Sequence, residues 1–274
     1  MAEISAADVM KLRKLTGAGM MDCKSALADA NGDFDRAIEI IREKGKAIAN
    51  KRADREASEG CVLAKVAGKK AGIIVLNCET DFVAKNQGFI DLTEKMLDVA
   101  IASNASNLEE ALALTMDGRT LADHVIEQTG VIGEKIQLSY YSKIEAESVV
   151  AYIHPGNKLA TAIGFNKANV DAQIAKDVAM QAAAMSPIAV DKDDVPAEVV
   201  EKELEIAKEK FRQEGKPEAM LDKIAQGALT KFFNESTLLN QSFVKDAKVT
   251  IRQYLASNDK DLTVTSFLRY ALSE

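Results

Sequence analysis

Hydrophobic positions change their spacing several times along this chain, and each change marks an element. Between residues 4 and 52 they recur at helical intervals. Val9, Leu12 and Leu15 form one inward stripe, and Met20, Cys23, Ala26 and Leu27 a second. Phe34, Ala37, Ile38 and Ile41 stand at i, i+3, i+4 and i+7. Ser5 and Asp33 are placed to cap the first and third of these helices, Gly17-Ala18-Gly19 breaks the first, and Asn31-Gly32 turns the chain between the second and third. Three short amphipathic helices predict a compact bundle, similar in size and pattern to ubiquitin-associated domains. From Gly45 to Gly60 the chain is charged and poor in apolar residues, as expected for the solvated end of the third helix or for a linker.

The period then falls to that of strands. Val62–Val66 and Ile73–Leu76 flank a Gly-Lys-Lys-Ala-Gly turn and predict a hairpin, and a helix follows with Phe89, Ile90, Leu92, Met96, Leu97 and Ala100. The arrangement recurs. Val149–Ile153 and Leu159–Ile163 flank a His-Pro-Gly-Asn-Lys turn and lead to a helix with Ile174, Val178 and Ala182 inward. Two such units predict duplicated α+β subdomains. Between them, residues 108–129 predict one helix, and 132–141 a strand entered through Gly130 and Gly133. After the second unit, Asp194 and Pro196 start a helix with Val200, Leu204, Ala207 and Phe211. Gly215-Lys216-Pro217 ends it, and Leu221, Ile224 and Ala228 continue on a return helix, predicting an antiparallel coiled-coil hairpin. Residues 241–244, a helix near 249–256 and a strand over 262–270 finish the chain. The fold class expected is therefore α+β, divided into a helical module over 1–55, a first core subdomain over 56–145 and a second over 146–274, with the coiled coil at 195–233.

Between the first hairpin and its helix stands Asn77-Cys78-Glu79-Thr80-Asp81-Phe82-Val83-Ala84-Lys85-Asn86. Two readings are open. Thr80 or Asp81 caps the following helix while Phe82 tucks under its first turn, or Phe82 points outward as an apolar wedge with Asp81 as a charged tooth beside it. The second unit is an internal control, because it has Asn166-Lys167-Ala168-Asn169 at the same place. A fold that required an aromatic there would carry one twice, so the comparison favours a functional Phe82. Adjacent Met20 and Met21 cannot both face a helical core, since neighbours point about 100° apart. One is expected at the surface, where methionine suits an adaptable contact.

Composition removes several functions. The 274 residues carry a formal charge of −7, which gives no global electrostatic reason to bind nucleic acid. Cys23, Cys61 and Cys78 are odd in number, widely spaced and outside any C-x-x-C pattern, which predicts a reducing compartment with neither disulfides nor zinc. Residues 1–5 lack the basic flank and apolar core of a signal peptide, and no apolar run is long enough to span a bilayer, so a soluble, cytoplasmic protein is expected. The Gly17–Ser25 stretch is no phosphate loop, because it follows no strand and has no glycine before its lysine. His124, mid-helix, and His154, in a hairpin turn, are expected in surface or capping roles. Cys78 beside Glu79 has no histidine placed to activate it. No catalytic residue, cofactor, metal site or nucleotide pocket is expected.

Thr80–Asn86 after an apolar strand resembles the signature of the bacterial translation elongation factor Ts family, guanine-nucleotide exchange factors for elongation factor Tu. Leu15–Lys24 is similar to that family's N-terminal signature. Gly215-Lys216-Pro217, Gly227, Lys231-Phe232 and Leu239–Val244 resemble its coiled-coil and post-hairpin motifs. The resemblance implies a helical module docking the partner's G domain through Arg13, Met20 and Met21, and a segment, Thr80 to Val83, that dislodges Mg²⁺ as Phe82 enters between helices of the partner. It also places His154 toward another domain of the partner. Two departures stand out. Family members commonly continue into a helical C-terminal module, whereas this sequence ends four residues after Tyr270. Gln137–Tyr141 lacks the basic pair often found in the family after Ile-Gly-Glu. The rival readings are a module that uses residues 1–50 to bind some other protein, and an enzyme that turns over without a GTPase.

Overall fold

A computed structural model describes residues 4–272; residues 1–3 and 273–274, the ends used in the sequence reading, lie outside the described residues. Helix α1 (Ala6–Thr16) begins at Ser5, whose hydroxyl accepts from the Asp8 amide while the Asp8 carboxylate accepts from the Ser5 amide. It ends at Gly17, whose φ of 69° is left-handed. Helix α2 (Met20–Asp29) follows, and α3 (Phe34–Lys51) is capped by Asp33. Val9, Leu12, Cys23, Ala26, Leu27, Ala37 and Ile41 close a small core. Leu15 is not part of it and is 60 % exposed. Thr16 takes the inward position after Val9 and Leu12, its hydroxyl donating to the Leu12 carbonyl, and that turns Leu15 outward. Met20 also leaves its expected stripe: it is 46 % exposed and Met21 71 %, so both methionines, rather than one, face solvent. The charged stretch after Gly45 is helical as far as Lys51.

Strands β1 (Glu59–Ala67) and β2 (Lys70–Cys78) pair in register from Glu59 opposite Cys78 to Ala67 opposite Lys70. The single turn α4 (Asp81–Ala84), α5 (Gln87–Ala102) and α6 (Leu108–Leu112) follow. The helix expected over 108–129 is interrupted by a small hairpin, β3 (Thr115–Met116) and β4 (Arg119–Thr120). Its turn residues Asp117 and Gly118 have φ of 49° and 78°, the geometry a two-residue Asp-Gly loop favours. Thr120 then caps α7 (Leu121–Ile132) through a reciprocal pair with Asp123. Gly130 lies inside α7 and Gly133 ends it, so β5 (Gln137–Glu145) starts later than the apolar pattern suggested. The β3–β4 hairpin folds over the first turn of α7 and buries His124 there, with Nε2 2.8 Å from the Met116 carbonyl. This histidine is structural, and the surface role expected for it is corrected.

The second unit runs β6 (Ser148–Ile153), β7 (Leu159–Phe165) and α8 (Ala172–Met185), then a short 3-10 turn over Lys192–Asp194. Helices α9 (Ala197–Gln213) and α10 (Glu218–Ser236) form an antiparallel hairpin about Gly215 and pack chiefly on each other. On the return arm the buried residues are Leu221, Ala225 and Leu229, with Ile224 and the expected Ala228 half-buried. Strands β8 (Ser242–Phe243) and β9 (Asp246–Thr250), helix α11 (Ile251–Asn258) and β10 (Val264–Ala271) complete the chain.

This mixed α+β fold, with eleven α-helices among the described residues, rests on two three-stranded antiparallel sheets, ordered β1-β2-β5 and β6-β7-β10. In each, the second hairpin strand is central and the third strand arrives after the helices. Alternate residues of β2 face opposite ways. Ile74 and Leu76 meet Phe89, Met96 and Leu97 of α5, while Ile73 and Val75 meet Ala160 and Ala162 of the second sheet. Burial on both faces contributes about 1.5–3 kcal/mol for each of these large side chains, so the strand leading into the Thr80 turn is a rigid base.

Candidate functional site

The turn grows from the end of β2. Thr80 occupies the N-cap position of α4, its hydroxyl accepting from the Val83 amide at 3.4 Å, and Asn86 caps α5 by accepting from the Gly88 amide at 2.9 Å. Within that single helical turn Ala84 is buried and Val83 packs on the first core, which leaves Phe82 on the opposite side, 84 % exposed. Both open readings are therefore partly realised: Thr80 does cap, but Phe82 does not tuck. Asp81 lies beside it and pairs with Lys85 at 2.6 Å. Lys85, and more weakly Lys158, hold its carboxyl below the usual carboxylate range, so the tooth is charged at neutral pH.

The root of the turn is held by two carboxylates that reach across it in opposite directions, Glu134 to the amides of Glu79 and Thr80 and Glu79 to the amide of Lys135. Glu134 accepts from the Glu79 amide at 3.2 Å, from the Thr80 amide at 3.0 Å and from the Thr80 hydroxyl at 2.7 Å. Glu79 in return accepts from the Lys135 amide at 2.6 Å and from Arg52, at the end of α3, at 2.7 Å. The Lys135 amide, with Arg52 adding, keeps the Glu79 carboxyl low against the opposing effect of burial. Lys135 Nζ donates to the Ala53 and Arg55 carbonyls at 2.7 and 2.9 Å, and Ser139 donates to Asn77. Cys78 is buried under this network, its Sγ 3.1 Å from the Thr80 carbonyl. Burial, with Glu134 and Glu59 nearby, pushes its thiol up to about 12, so it stays protonated and is no nucleophile at neutral pH.

The other residues singled out in the sequence lie around this turn. Phe82, Val83, Phe89, Gln128, Val131 and Ile132 line a groove beside Thr80. A Cβ on Gly17 would stand 3.7 Å from Val131, so the loop leading to Met20 and Met21 abuts the same groove. Arg13 is exposed on α1, its carbonyl bonded to the Gly17 amide. His154 is exposed in the β6–β7 turn, with Nδ1 2.9 Å from the Tyr152 hydroxyl. That turn is tied to the open end of the first hairpin by the Val62 amide, which donates to the Asn157 carbonyl at 2.7 Å, and by Lys158 on Glu59 at 2.7 Å. The sequence reading missed Glu134, Glu79, Lys135 and Arg52. Glu134 is more than fifty residues from Thr80, and no periodicity or spacing links such positions. Among the described residues no cluster of three or more His, Cys, Asp or Glu could hold a metal, and no helix is long and apolar enough to cross a membrane.

An exposed aromatic on a braced turn, with exposed methionines and a second turn around it, has the make-up of a surface in the class of protein-docking factors. Comparison with known proteins gives the family. The profile of the family described as Elongation factor TS matches residues 79–274. Elongation factor Ts of Porphyromonas gingivalis is 54 % identical over 267 residues, covering 97 % of each chain. That of Flavobacterium psychrophilum is 50 % identical over 275 residues, covering 99 % of this chain and all of the relative. That of Amoebophilus asiaticus is 51 % identical over 270 residues, covering 97 % and 98 %. The chain belongs to the elongation factor Ts family, the guanine-nucleotide exchange factors for elongation factor Tu in translation elongation.

Proposed function

We propose that this chain binds the GDP form of elongation factor Tu in the cytoplasm and promotes GDP release by setting Thr80–Val83 against the partner's Mg²⁺ and phosphate site. Phe82 is the wedge and Asp81 the charge beside it. Arg13, Met20 and Met21 contact the G domain, and His154 faces another domain. The observation that carries this reading is the 84 % exposure of Phe82 on a turn whose root is held by three hydrogen bonds to Glu134. The separate apolar cores around residues 9–41, 61–141 and 163–264 support the division into a UBA-like module and two core subdomains. The mutual packing of α9 and α10 supports a coiled-coil projection from the second.

Exchange requires no bond to be made by this chain. A factor that binds the nucleotide-free partner more tightly than the loaded one weakens nucleotide affinity by the same ratio. Displacing the loops that hold Mg²⁺ and phosphate is enough, because nucleotide affinity rests on that metal and on backbone geometry. The test is release of a fluorescent GDP from elongation factor Tu, chased with unlabelled GDP. The intact chain should accelerate release, and Phe82→Ala should lose most of the acceleration, on the scale of the 2 kcal/mol or more typical of a buried anchor residue. Unchanged release with the intact chain, or full activity of Phe82→Ala, refutes the proposal.

A further inference from the structure

We infer that Glu134 is the positioning residue of the exchange reaction: its carboxylate fixes the backbone of Glu79 and Thr80, and with them the direction in which Phe82 is presented. The inference rests on the wedge reading above and adds a residue that touches no partner. Glu134 lies directly after the left-handed Gly133 that ends α7, and it reaches the far side of the groove to take three donors from two consecutive residues. Two of the three are amides that a strand ending at Cys78 leaves without a partner on β5, since the register of β2 with β5 stops at Asn77, and the third is the Thr80 hydroxyl. α4 has only four residues and its cap is Thr80; Val83 and Ala84 seat one face of it on the core, and the backbone that leads into it is set by what holds Thr80. The Thr80 hydroxyl that caps α4 is oriented by its own bond to Glu134. Glu79, held in turn by Lys135 and Arg52, carries the brace on to the end of α3. The clamp therefore acts on Phe82 through Thr80, while the loop at Met20 and the turn at His154 are held by other contacts.

This separation sets the test. Full-length Glu134→Ala, Glu134→Asp, Glu134→Gln, Phe82→Ala and the Phe82→Ala/Glu134→Ala double variant are titrated against elongation factor Tu carrying fluorescent GDP. Saturating release rate, half-saturating concentration and thermal midpoint are read for each. Glu134→Ala should lower the saturating rate about tenfold while half-saturation moves less than about threefold, because docking outside the tip is untouched. Glu134→Gln keeps an oxygen for both amides and an NH₂ for the Thr80 oxygen, and should restore most of the rate. Glu134→Asp keeps the charge but withdraws the carboxylate by about 1.5 Å; it should lose rate while folding normally, and it serves if the alanine variant is unstable. In the Phe82→Ala background the second substitution should cost nothing more, since both act through one group. Equal losses from Glu134→Ala with and without Phe82, or unchanged rates for both Glu134→Ala and Glu134→Asp, overturn the inference while the wedge reading stands. No effect of Phe82→Ala overturns both.

Discussion

Two glycines of neighbouring helices face each other closely, and the contact makes a prediction of opposite sign for the same substitution on either side. Gly45 of α3 faces Gly130 of α7, and a Cβ built on Gly130 would lie 2.5 Å from the Gly45 Cα. A Cβ built on Gly45 would lie 3.7 Å from the Gly130 Cα, an ordinary contact. Replacing a mid-helix glycine by alanine favours the helix by about 0.8–1.0 kcal/mol at either site. For Gly45→Ala nothing opposes that gain, so the chain should be unchanged or more stable by up to about 1 kcal/mol. For Gly130→Ala the obstacle is backbone, and restoring a carbon–carbon separation of 3.5–4.0 Å requires the helices to part by roughly 1 Å. Overpacking of this kind costs about 1–3 kcal/mol, and the contact that ties the N-terminal helices to the core loosens as well. The net expectation is about 1–2 kcal/mol of destabilisation. Thermal unfolding of the full chain should show a midpoint several degrees lower, at about 2–4 °C per kcal/mol for a protein of this size. Exchange activity should fall with it, since Arg52, which directly follows α3, braces Glu79. If Gly130→Ala is as stable as Gly45→Ala, the reasoning from close approach is wrong.

Two further outcomes follow from buried titratable groups. Burial opposes ionisation of Asp177, but the donors Lys245, Gln173 and Tyr254 outweigh it and hold the carboxyl below its ordinary value. Lys245→Met should cost about 1–3 kcal/mol at neutral pH, less than for a fully buried pair because Lys245 is half exposed. A depressed carboxyl stabilises above its unfolded value near 3.9 and loses that contribution as pH falls through the folded value. The gap between wild type and variant in urea unfolding should therefore be full at neutral pH and close on acidification; a gap unchanged down to pH 2 refutes the assignment. Burial pushes the Cys61 thiol up to about 11 and the Cys78 thiol up to about 12, and Cys23 is also buried. At pH 8 the native chain should resist thiol reagents and yield three reactive thiols only when denatured. Rapid modification of Cys78 in the native chain would contradict the packing under the Thr80 turn.

The sequence by itself determined the elements whose signals are local. Ser5 and Asp33 cap where hydroxyl and carboxylate stand just before apolar helical spacing, the two hairpins alternate where they should, and the helical hairpin turns at Gly215. The repeat was legible because each copy spells out a hairpin and a helix. Resemblance supplied the family, because a run such as Thr80–Asn86 survives as a string. The errors also have local causes. The 108–129 segment lost its middle to Asp117-Gly118, whose turn preference outweighed helical periodicity. Leu15 and Met20 turned outward because helical spacing defines a stripe but not where its neighbours stop covering it. Tertiary structure alone decided the rest. That β2 is covered on both faces, by α5 and by the second sheet, depends on how two units with the same pattern meet. Gly45 and Gly130 touch across eighty-five residues, and Glu134 reaches Thr80 across fifty-four. A hydrogen bond or a backbone contact between distant positions leaves no period in the chain, since its strength depends on where the fold brings two groups and not on what lies between them.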